Sequence, residues 1–180
     1  MEISKLNLSK IKVAIFDFDN TLAIHKDQNY LKKRRSSEDK LLDYYLNAYL
    51  NQNSFYESIE ECNISNDILT LINILRKNGV KLYCLTGTKF SFHIKAKENF
   101  VHKKYGNDIE IFAVGNQQFK LSATKIISKI NKCGLDEILF VDDLVENVDM
   151  LNNAGIKAIV LTDVINYIWI ENIELLFKLK

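Results

Sequence analysis

Residues 12–22 read Lys12-Val-Ala-Ile-Phe-Asp17-Phe-Asp19-Asn-Thr21-Leu22 and carry the strongest structural signal in the chain. A run of β-branched and aromatic residues ends in two acids separated by one residue, which is the pattern of a buried strand that brings carboxylates to the rim of a sheet. Because side chains alternate along a strand, Asp17 and Asp19 are expected to point in one direction, away from the apolar packing of Phe16 and Phe18. Two neighbouring acids repel each other unless a cation or a proton lies between them, so the spacing predicts a Mg²⁺ ion or a shared proton.

Beyond these residues, short apolar strands alternate with amphipathic helices. The pattern of apolar residues predicts strands at 80–86, 110–114, 137–141 and 157–161. It predicts helices at about 38–51, 67–78, 91–105, 122–132 and 145–153. Continuous apolar strands that alternate with helices indicate a parallel sheet covered on both faces. The expected fold class is therefore α/β, a three-layer α/β/α Rossmann-like fold with a central parallel sheet.

Length and composition are those of one domain. The 180 residues, 47% of them apolar, suffice for a single core over residues 1–180, with room for a small insertion. The 24 basic and 23 acidic residues leave a formal net charge of +1, which argues against general binding to nucleic acid or to anionic membranes. The sequence shows no signal peptide or transmembrane segment, and its three cysteines indicate neither disulfides nor zinc. We therefore expect a soluble, cytoplasmic protein.

Four segments resemble, in order, the motifs of the haloacid dehalogenase superfamily. The first is Asp17-Phe-Asp19-Asn-Thr21, and the second is Leu82-Tyr-Cys-Leu-Thr86-Gly87. A lysine ahead of the last acidic motif is the third, and Ile138-Leu-Phe-Val-Asp142-Asp143 is the fourth. Most members of this superfamily are Mg²⁺-dependent phosphatases that act through an aspartyl-phosphate. The resemblance extends from residue 12 to about residue 161, which is nearly the whole chain.

The resemblance implies roles for the residues of the first two motifs. Asp17 would be the nucleophile that attacks phosphorus, and Asp19 would be the general acid/base that protonates the leaving oxygen and then activates water. The hydroxyl of Thr86 and the backbone N–H of Gly87 would bind the phosphate oxygens. The function implied is hydrolysis of a phosphomonoester through an aspartyl-phosphate intermediate.

The same resemblance implies a Mg²⁺ site. Its ligands would be a side-chain oxygen of Asp17, the main-chain carbonyl of Asp19 and the carboxylate of Asp142, with Asp143 nearby as a direct or water-mediated ligand. These residues lie at or just beyond the carboxyl ends of predicted strands, and open α/β sheets bind their ligands at that edge.

The lysine of the third motif has two candidates. Lys120 and Lys125 both precede the strand of the fourth motif, and either would hold Asp17 and the phosphate by its charge. We favour Lys125, because Ser122 can cap a helix and would then place Lys125 at the third helical position, with its side chain reaching back toward the strand ends.

In the superfamily that the chain resembles, a cap over the active site is inserted between the first and second motifs, and residues 23–66 here are long enough only for a small helical one. A short cap would allow either a small phosphorylated molecule, which we favour as the substrate, or a phosphate on the end of a protein or nucleic acid. It also favours hydrolysis over phosphomutase chemistry, which generally needs a cap that retains its intermediate. His25 and His93 follow the first and second motifs closely enough to reach a bound leaving group, but a surface or locally bonded role is favoured for both.

Two other classes of protein compete with this interpretation. A phospho-receiver module also carries acids, a threonine and a lysine at strand ends, but its phospho-accepting aspartate follows the third strand, where this chain reads Ala113-Val-Gly-Asn116. A catalytically idle binding protein on the same fold would not need both Asp17 and Asp19. No feature of the sequence specifies an oligomeric state.

Overall fold

The centre of the molecule is a sheet of five parallel strands. The computed structural model of the protein describes residues 8–25, 59–61, 65–88 and 91–164. The strands within these ranges are β1 (Val13–Phe16), β2 (Ala23–His25), β3 (Ile59–Glu61), β4 (Lys81–Gly87), β5 (Ile109–Val114), β6 (Ile138–Asp142) and β7 (Lys157–Val160). Five of them form the parallel sheet in the order β5-β4-β1-β6-β7, so β1 occupies its centre.

Helices cover both faces of this sheet. They include α1 (Ser65–Lys77), α2 (Ser91–Tyr105), α3 (Lys120–Ile130) and α4 (Val145–Asn153), and no helix in the described ranges is long and apolar enough to cross a membrane. Alternate residues of β1 point to opposite faces. Ala14 and Phe16 pack in one core with α1 and α2, whereas Val13 and Ile15 pack in a second core with α3 and α4. The three-layer α/β/α Rossmann-like fold predicted from the sequence is confirmed.

The start of α3 differs from the prediction. A 3₁₀ turn at Gln117–Phe119 leads directly into the helix, which begins at Lys120 and not at 122. Phe119 occupies the N-cap position with helical backbone angles, φ −88° and ψ −1°, and no side chain caps the helix there. Ser122 therefore lies within the first turn and is not the N-cap, and Lys120 takes the first helical position.

A second, two-stranded sheet was not predicted. β2 and β3 pair antiparallel, with Ala23 opposite Glu61 and His25 opposite Ile59. Strands of three residues that are separated by a long segment carry too little periodicity to be recognised in the sequence. The predicted helix at 38–51 and most of the predicted insertion at 23–66 lie outside the described residues, as does the end of the chain beyond residue 164.

The order of the strands determines where a ligand can bind. The chain passes from the central β1 to β4 and β5 on one side of the sheet, and then crosses to β6 and β7 on the other. Such a reversal opens a crevice at the carboxyl ends of the strands, which is the usual ligand site of open α/β sheets. Asp17 directly follows β1, and Asp142 is the last residue of the neighbouring β6. The topology therefore places the two acidic motifs side by side.

Candidate active site

Three carboxylates meet at the carboxyl ends of β1 and β6. The backbone N–H of Asp17 donates a 2.9 Å hydrogen bond to the carbonyl oxygen of Val141, which continues the pairing of the two strands. Carboxylate oxygens of Asp17, Asp142 and Asp143 lie within 4.8 Å of one another. Asp17 and Asp142 are buried, and Asp143 is half-buried. Carboxylates this close together and this far from water need a compensating cation.

Lys120 supplies one cation to this cluster. The side chain is fully buried, and its Nζ lies 2.9 Å from Oδ1 of Asp17 and 2.7 Å from Oδ2 of Asp142. Lys125, which the sequence favoured for this contact, is exposed on α3. The structure corrects that placement: because α3 starts at Lys120, this lysine shares the buried face of the helix with Ala123, and Lys125 falls on the solvent side.

Both carboxylate oxygens of Asp142 are held by hydrogen-bond donors. Oδ1 accepts a 2.9 Å bond from the backbone N–H of Leu144, and Nδ2 of Asn147 lies 3.0 Å from each oxygen. Oδ2 also accepts from Lys120. Asn147 is buried in the first turn of α4 and was missed in the sequence, although a polar residue in the first turn after an acidic motif is a recognisable signal. These contacts fix the orientation of the Asp142 carboxylate.

Asp143 is connected to the loop that follows β1. Nδ2 of Asn20 donates a 3.3 Å hydrogen bond to its Oδ2. Asn20 has a φ of 61°, a left-handed conformation that asparagine adopts more readily than most residues, and it turns the chain back directly after Asp19. Burial, followed by the negative charge of Asp142, raises the pKa of Asp143. Asp143 therefore forms the more exposed side of the carboxylate cluster.

A second buried lysine, Lys97, was not singled out from the sequence. Its Nζ lies 2.8 Å from Oδ2 of Asp19 and donates a 2.7 Å hydrogen bond to Oγ1 of Thr86, and the side chain is only 4% exposed. A signal for it does exist in the sequence, because apolar residues near the end of α2 recur every four positions and the same face extends backward to Lys97. This buried stripe consists of His93, Lys97, Val101 and Tyr105.

Thr86 and Gly87 lie at the same rim as the acids. They are the last two residues of β4, which pairs directly with β1. Thr86 is fully buried, whereas Gly87 is partly exposed. Of the two histidines considered from the sequence, His93 is buried with its Nδ1 3.2 Å from the hydroxyl of Thr88, and His25 lies on β2. The contact with Thr88 fits the locally bonded role that was favoured for His93.

Burial changes the ionisation of the cluster. It is the largest cause that raises the pKa of Asp17 to about 7; attraction to Lys120 lowers the pKa, and the negative charges of Asp142 and Asp19 raise it further. Burial also lowers the pKa of Lys120, but attraction to Asp17 and Asp142 outweighs it, so the pKa of the lysine is raised. The carboxylates thus carry more negative charge than Lys120 offsets, and the cluster favours an additional proton or cation.

We expect this proton to make the stability of the metal-free protein depend on pH. Between about pH 4 and about pH 7, Asp17 is ionised in the unfolded chain but protonated in the folded protein. The free energy of unfolding should therefore fall as the pH rises through this range. Urea denaturation in the presence of a chelator, at several pH values between about 5 and about 7, measures how the free energy of unfolding changes with pH. The Asp17→Asn variant has no proton to lose at this position, and an equal slope in both proteins would contradict the raised pKa.

The fold is that of the haloacid dehalogenase-like hydrolases, as comparison with solved structures shows. No family model and no curated protein matches the sequence. A phosphoserine phosphatase solved as an analogue of its phospho-aspartyl intermediate matches with a TM-score of 0.60 and 16% identity, over 87% of this chain and 98% of that one. A haloacid dehalogenase-like hydrolase from Bacteroides fragilis has a TM-score of 0.59 and 15% identity, over 82% of this chain and 86% of that one.

A third match is an enzyme of the same family from Bacteroides thetaiotaomicron, solved in complex with magnesium and inorganic phosphate. Its TM-score is 0.55 and its identity 15%, over 83% of this chain and 93% of that one. At these identities the matches establish a common fold, and the chemistry has to be argued from the residues of this chain.

Proposed function

We propose that the protein is a phosphatase of the haloacid dehalogenase superfamily, which hydrolyses a phosphomonoester through an aspartyl-phosphate on Asp17. The observation that carries the proposal is the position of this carboxylate. It follows the central strand of the sheet, forms an ion pair with the buried Lys120, and lies within 4.8 Å of two further acids. The likeness to a phosphoserine phosphatase solved in a phospho-aspartyl form supports it.

The donor atoms at the rim suit Mg²⁺. This ion prefers oxygen ligands and needs few from the protein, because it retains several waters. Asp17, Asp142 and Asp143 bring carboxylate oxygens together. Burial, and then the negative charges of Asp142 and Asp19, raise the pKa of Asp17 despite its contact with Lys120, so a further cation would stabilise its charged form. We propose that Asp17, Asp142 and Asp143 hold the ion with the main-chain carbonyl of Asp19. When bound, Mg²⁺ neutralises charge on the carboxylates and on the phosphate.

Asp17, and not Asp142, is the nucleophile in this mechanism. The oxygens of Asp142 accept hydrogen bonds from Lys120, Leu144 and Asn147, so this side chain is fixed as an acceptor. Asp17 is held by Lys120 through Oδ1, and Oδ2 is the oxygen that attacks phosphorus. As the new O–P bond forms, the bond from phosphorus to the leaving oxygen breaks.

Asp19 exchanges protons with the leaving group and with water. It protonates the leaving oxygen while the phosphoryl group passes to Asp17, and it then takes a proton from the water that hydrolyses the aspartyl-phosphate. Thr86 and Gly87 donate hydrogen bonds to the phosphate oxygens from the end of β4, and Lys120 adds positive charge. Each group thus has a separate task in phosphoryl transfer.

The order of strands supports this proposal over the competing classes. Asp17 follows the first strand, which is central, whereas β5 lies at the edge of the sheet and no acid follows it directly. A phospho-receiver module would need its acceptor aspartate after that third parallel strand. An idle binding protein would have no need of two buried lysines that orient carboxylates, because buried charges are costly to maintain.

We also propose that residues 23–66 form a small cap and that the substrate is a small phosphorylated molecule. β2 and β3 mark the two points where this insertion meets the core. A short insertion favours hydrolysis over phosphomutase chemistry. The balanced charge of the chain argues against a general affinity for nucleic acid or anionic membranes.

We expect the protein to hydrolyse a generic aryl phosphate when Mg²⁺ is present. EDTA should abolish the activity, because the carboxylates and the phosphate then repel each other, and added Mg²⁺ should restore it. Release of inorganic phosphate and of the phenol, followed in parallel, measures the reaction. Unchanged turnover in the chelator would remove the metal from the mechanism, and absence of turnover on a broad set of phosphomonoesters with Mg²⁺ would overturn the proposed function.

A further inference from the structure

Lys97 contacts two of the proposed catalytic groups but has no role in the mechanism described so far. Its ammonium group lies 2.8 Å from Oδ2 of Asp19 and 2.7 Å from Oγ1 of Thr86, and it sits 4.6 Å from the centre of the Phe18 ring. An ammonium group has three N–H donors and no acceptor, and these three neighbours offer it a carboxylate, a hydroxyl and the negative face of an aromatic ring. The cation is therefore surrounded by partners on the rim of the site.

Packing alone does not explain a lysine at this position. Val101, one turn later on the same stripe of α2, fills the core with an apolar side chain, and an apolar residue at position 97 would do the same at no cost of desolvation. A lysine buried this deeply is tolerated because it is paired. Lys120 serves Asp17 and Asp142, and Lys97 serves Asp19 and Thr86, so the two lysines divide the polar groups of the site between them.

We propose that Lys97 is a positioning residue for phosphoryl transfer, which orients the carboxylate of Asp19 and the hydroxyl of Thr86 toward one bound phosphate group. Because the hydroxyl of Thr86 accepts a hydrogen bond from Lys97, its own hydrogen is directed to another acceptor, and the phosphate oxygen is that acceptor. Because Lys97 holds Oδ2 of Asp19, the other oxygen, Oδ1, exchanges the proton with the leaving group.

This inference rests on the proposed function where it concerns Asp19. The effect of Lys97 on phosphate binding, which acts through Thr86, can be measured without turnover. Asp19 belongs to the loop after β1 and Thr86 to the end of β4, so the two groups come from separate parts of the chain. Lys97 links them through a single nitrogen atom. Its removal should therefore impair two distinct properties, proton transfer and phosphate binding.

The variant Lys97→Met tests the first property. Methionine is similar in length and apolar, so it keeps the packing and removes the charge and the donors. The control is Lys95→Met on the same helix, where the side chain is 70% exposed and pairs with Glu98. Values of kcat/KM are measured for aryl and alkyl phosphates whose leaving groups differ in basicity.

We expect Lys97→Met to lower kcat/KM about 10-fold for the aryl phosphate with the least basic leaving group and about 1,000-fold for alkyl phosphates. A basic leaving oxygen depends most on a well-placed acid. Asp19→Asn should show the same trend, and Lys95→Met should match the wild type. A loss that is equal for every leaving group would show a merely structural role and would overturn this part of the proposal.

Calorimetric titration with inorganic phosphate and Mg²⁺ tests the second property. We expect Lys97→Met to bind phosphate about 10-fold more weakly than the wild type and Lys95→Met. The loss should be non-additive with that of Thr86→Val, because Lys97 acts on the phosphate through the hydroxyl group that Thr86→Val removes. Melting temperatures measured in parallel show whether the variants remain folded.

The outcomes separate the two proposals. If the wild type binds phosphate but hydrolyses no phosphomonoester, the proposed function fails, and the phosphate affinity of Lys97→Met decides the role of Lys97. If the wild type hydrolyses phosphomonoesters, but Lys97→Met binds phosphate normally and shows no dependence on the leaving group, the role of Lys97 is overturned and the function stands. A wild type that neither binds nor hydrolyses contradicts both.

Discussion

Replacing Asp17 with asparagine is expected to lower kcat by at least about 1,000-fold, because an amide oxygen cannot serve as the phosphoryl acceptor. The fold should be retained, since the two side chains are nearly equal in size. The neutral amide should also be tolerated in a site where burial already disfavours the charged form of Asp17. Steady-state hydrolysis of an aryl phosphate, corrected for the fraction of folded protein, is the measurement.

The Asp19→Asn variant should fail at a different step of the reaction from Asp17→Asn. It leaves the nucleophile in place and removes the group that activates water, so a phosphorylated enzyme should accumulate. Beryllium fluoride, which imitates a phosphoryl group on a carboxylate, offers a direct check: its adduct should form on Asp17 in the wild type. An adduct on Asp142, or on another residue, would refute the assignment of the nucleophile.

The second large effect is expected at Lys120. Lys120→Met removes the cation that contacts both Asp17 and Asp142, and loss of this charge-assisted contact should cost about 2–4 kcal/mol of transition-state stabilisation, or roughly 30- to 1,000-fold in kcat/KM. The lysine is fully buried, so its removal also leaves two buried acids without their partner and should lower the stability of the fold. Added Mg²⁺ should recover part of that stability, since it neutralises the same carboxylates.

Lys125→Met is the matched control for this variant. Lys125 lies on the same helix but is exposed, so its loss should change kcat/KM by no more than about twofold and leave the melting temperature unchanged. Circular dichroism establishes the folded fraction before the kinetics are compared. If Lys125→Met were the inactive variant and Lys120→Met the active one, Lys120 would have no part in binding the phosphate.

The sheet and its acidic rim could be predicted from the sequence because they depend on local signals. Each central strand is a continuous run of apolar residues, and the helices between the strands repeat their apolar residues at the spacing of an α-helix. Once the strands are parallel, acids that follow different strands must share an edge. Asp17 and Asp142 could therefore be placed together before any coordinates were known, and the structure brings them within 4.8 Å.

The lysines could not be placed with the same accuracy, because the direction of a helical side chain depends on which face of the helix packs against the core. Lys120 and Lys125 are five residues apart, which places them about 140° from each other around the axis of α3. Lys120 lies on the same face as the buried Ala123 and Ile127, and Lys125 lies on the exposed face, so Lys120 reaches the acids. Lys97 was missed for a related reason. A charged residue at a core position of an amphipathic helix looks like a break in the pattern until its partners, Asp19 and Thr86, are known.

The short sheet of β2 and β3 holds the two ends of segment 26–58 next to each other. His25 pairs with Ile59, so the segment 26–58 leaves and re-enters the domain at neighbouring positions. A segment attached in this way can lengthen, shorten or be exchanged without a change in the register of the five-stranded sheet, because its two ends are already held together. Under the proposed function, changes of sequence in this segment can therefore alter the choice of substrate without disturbing Asp17, Lys120 and their neighbours.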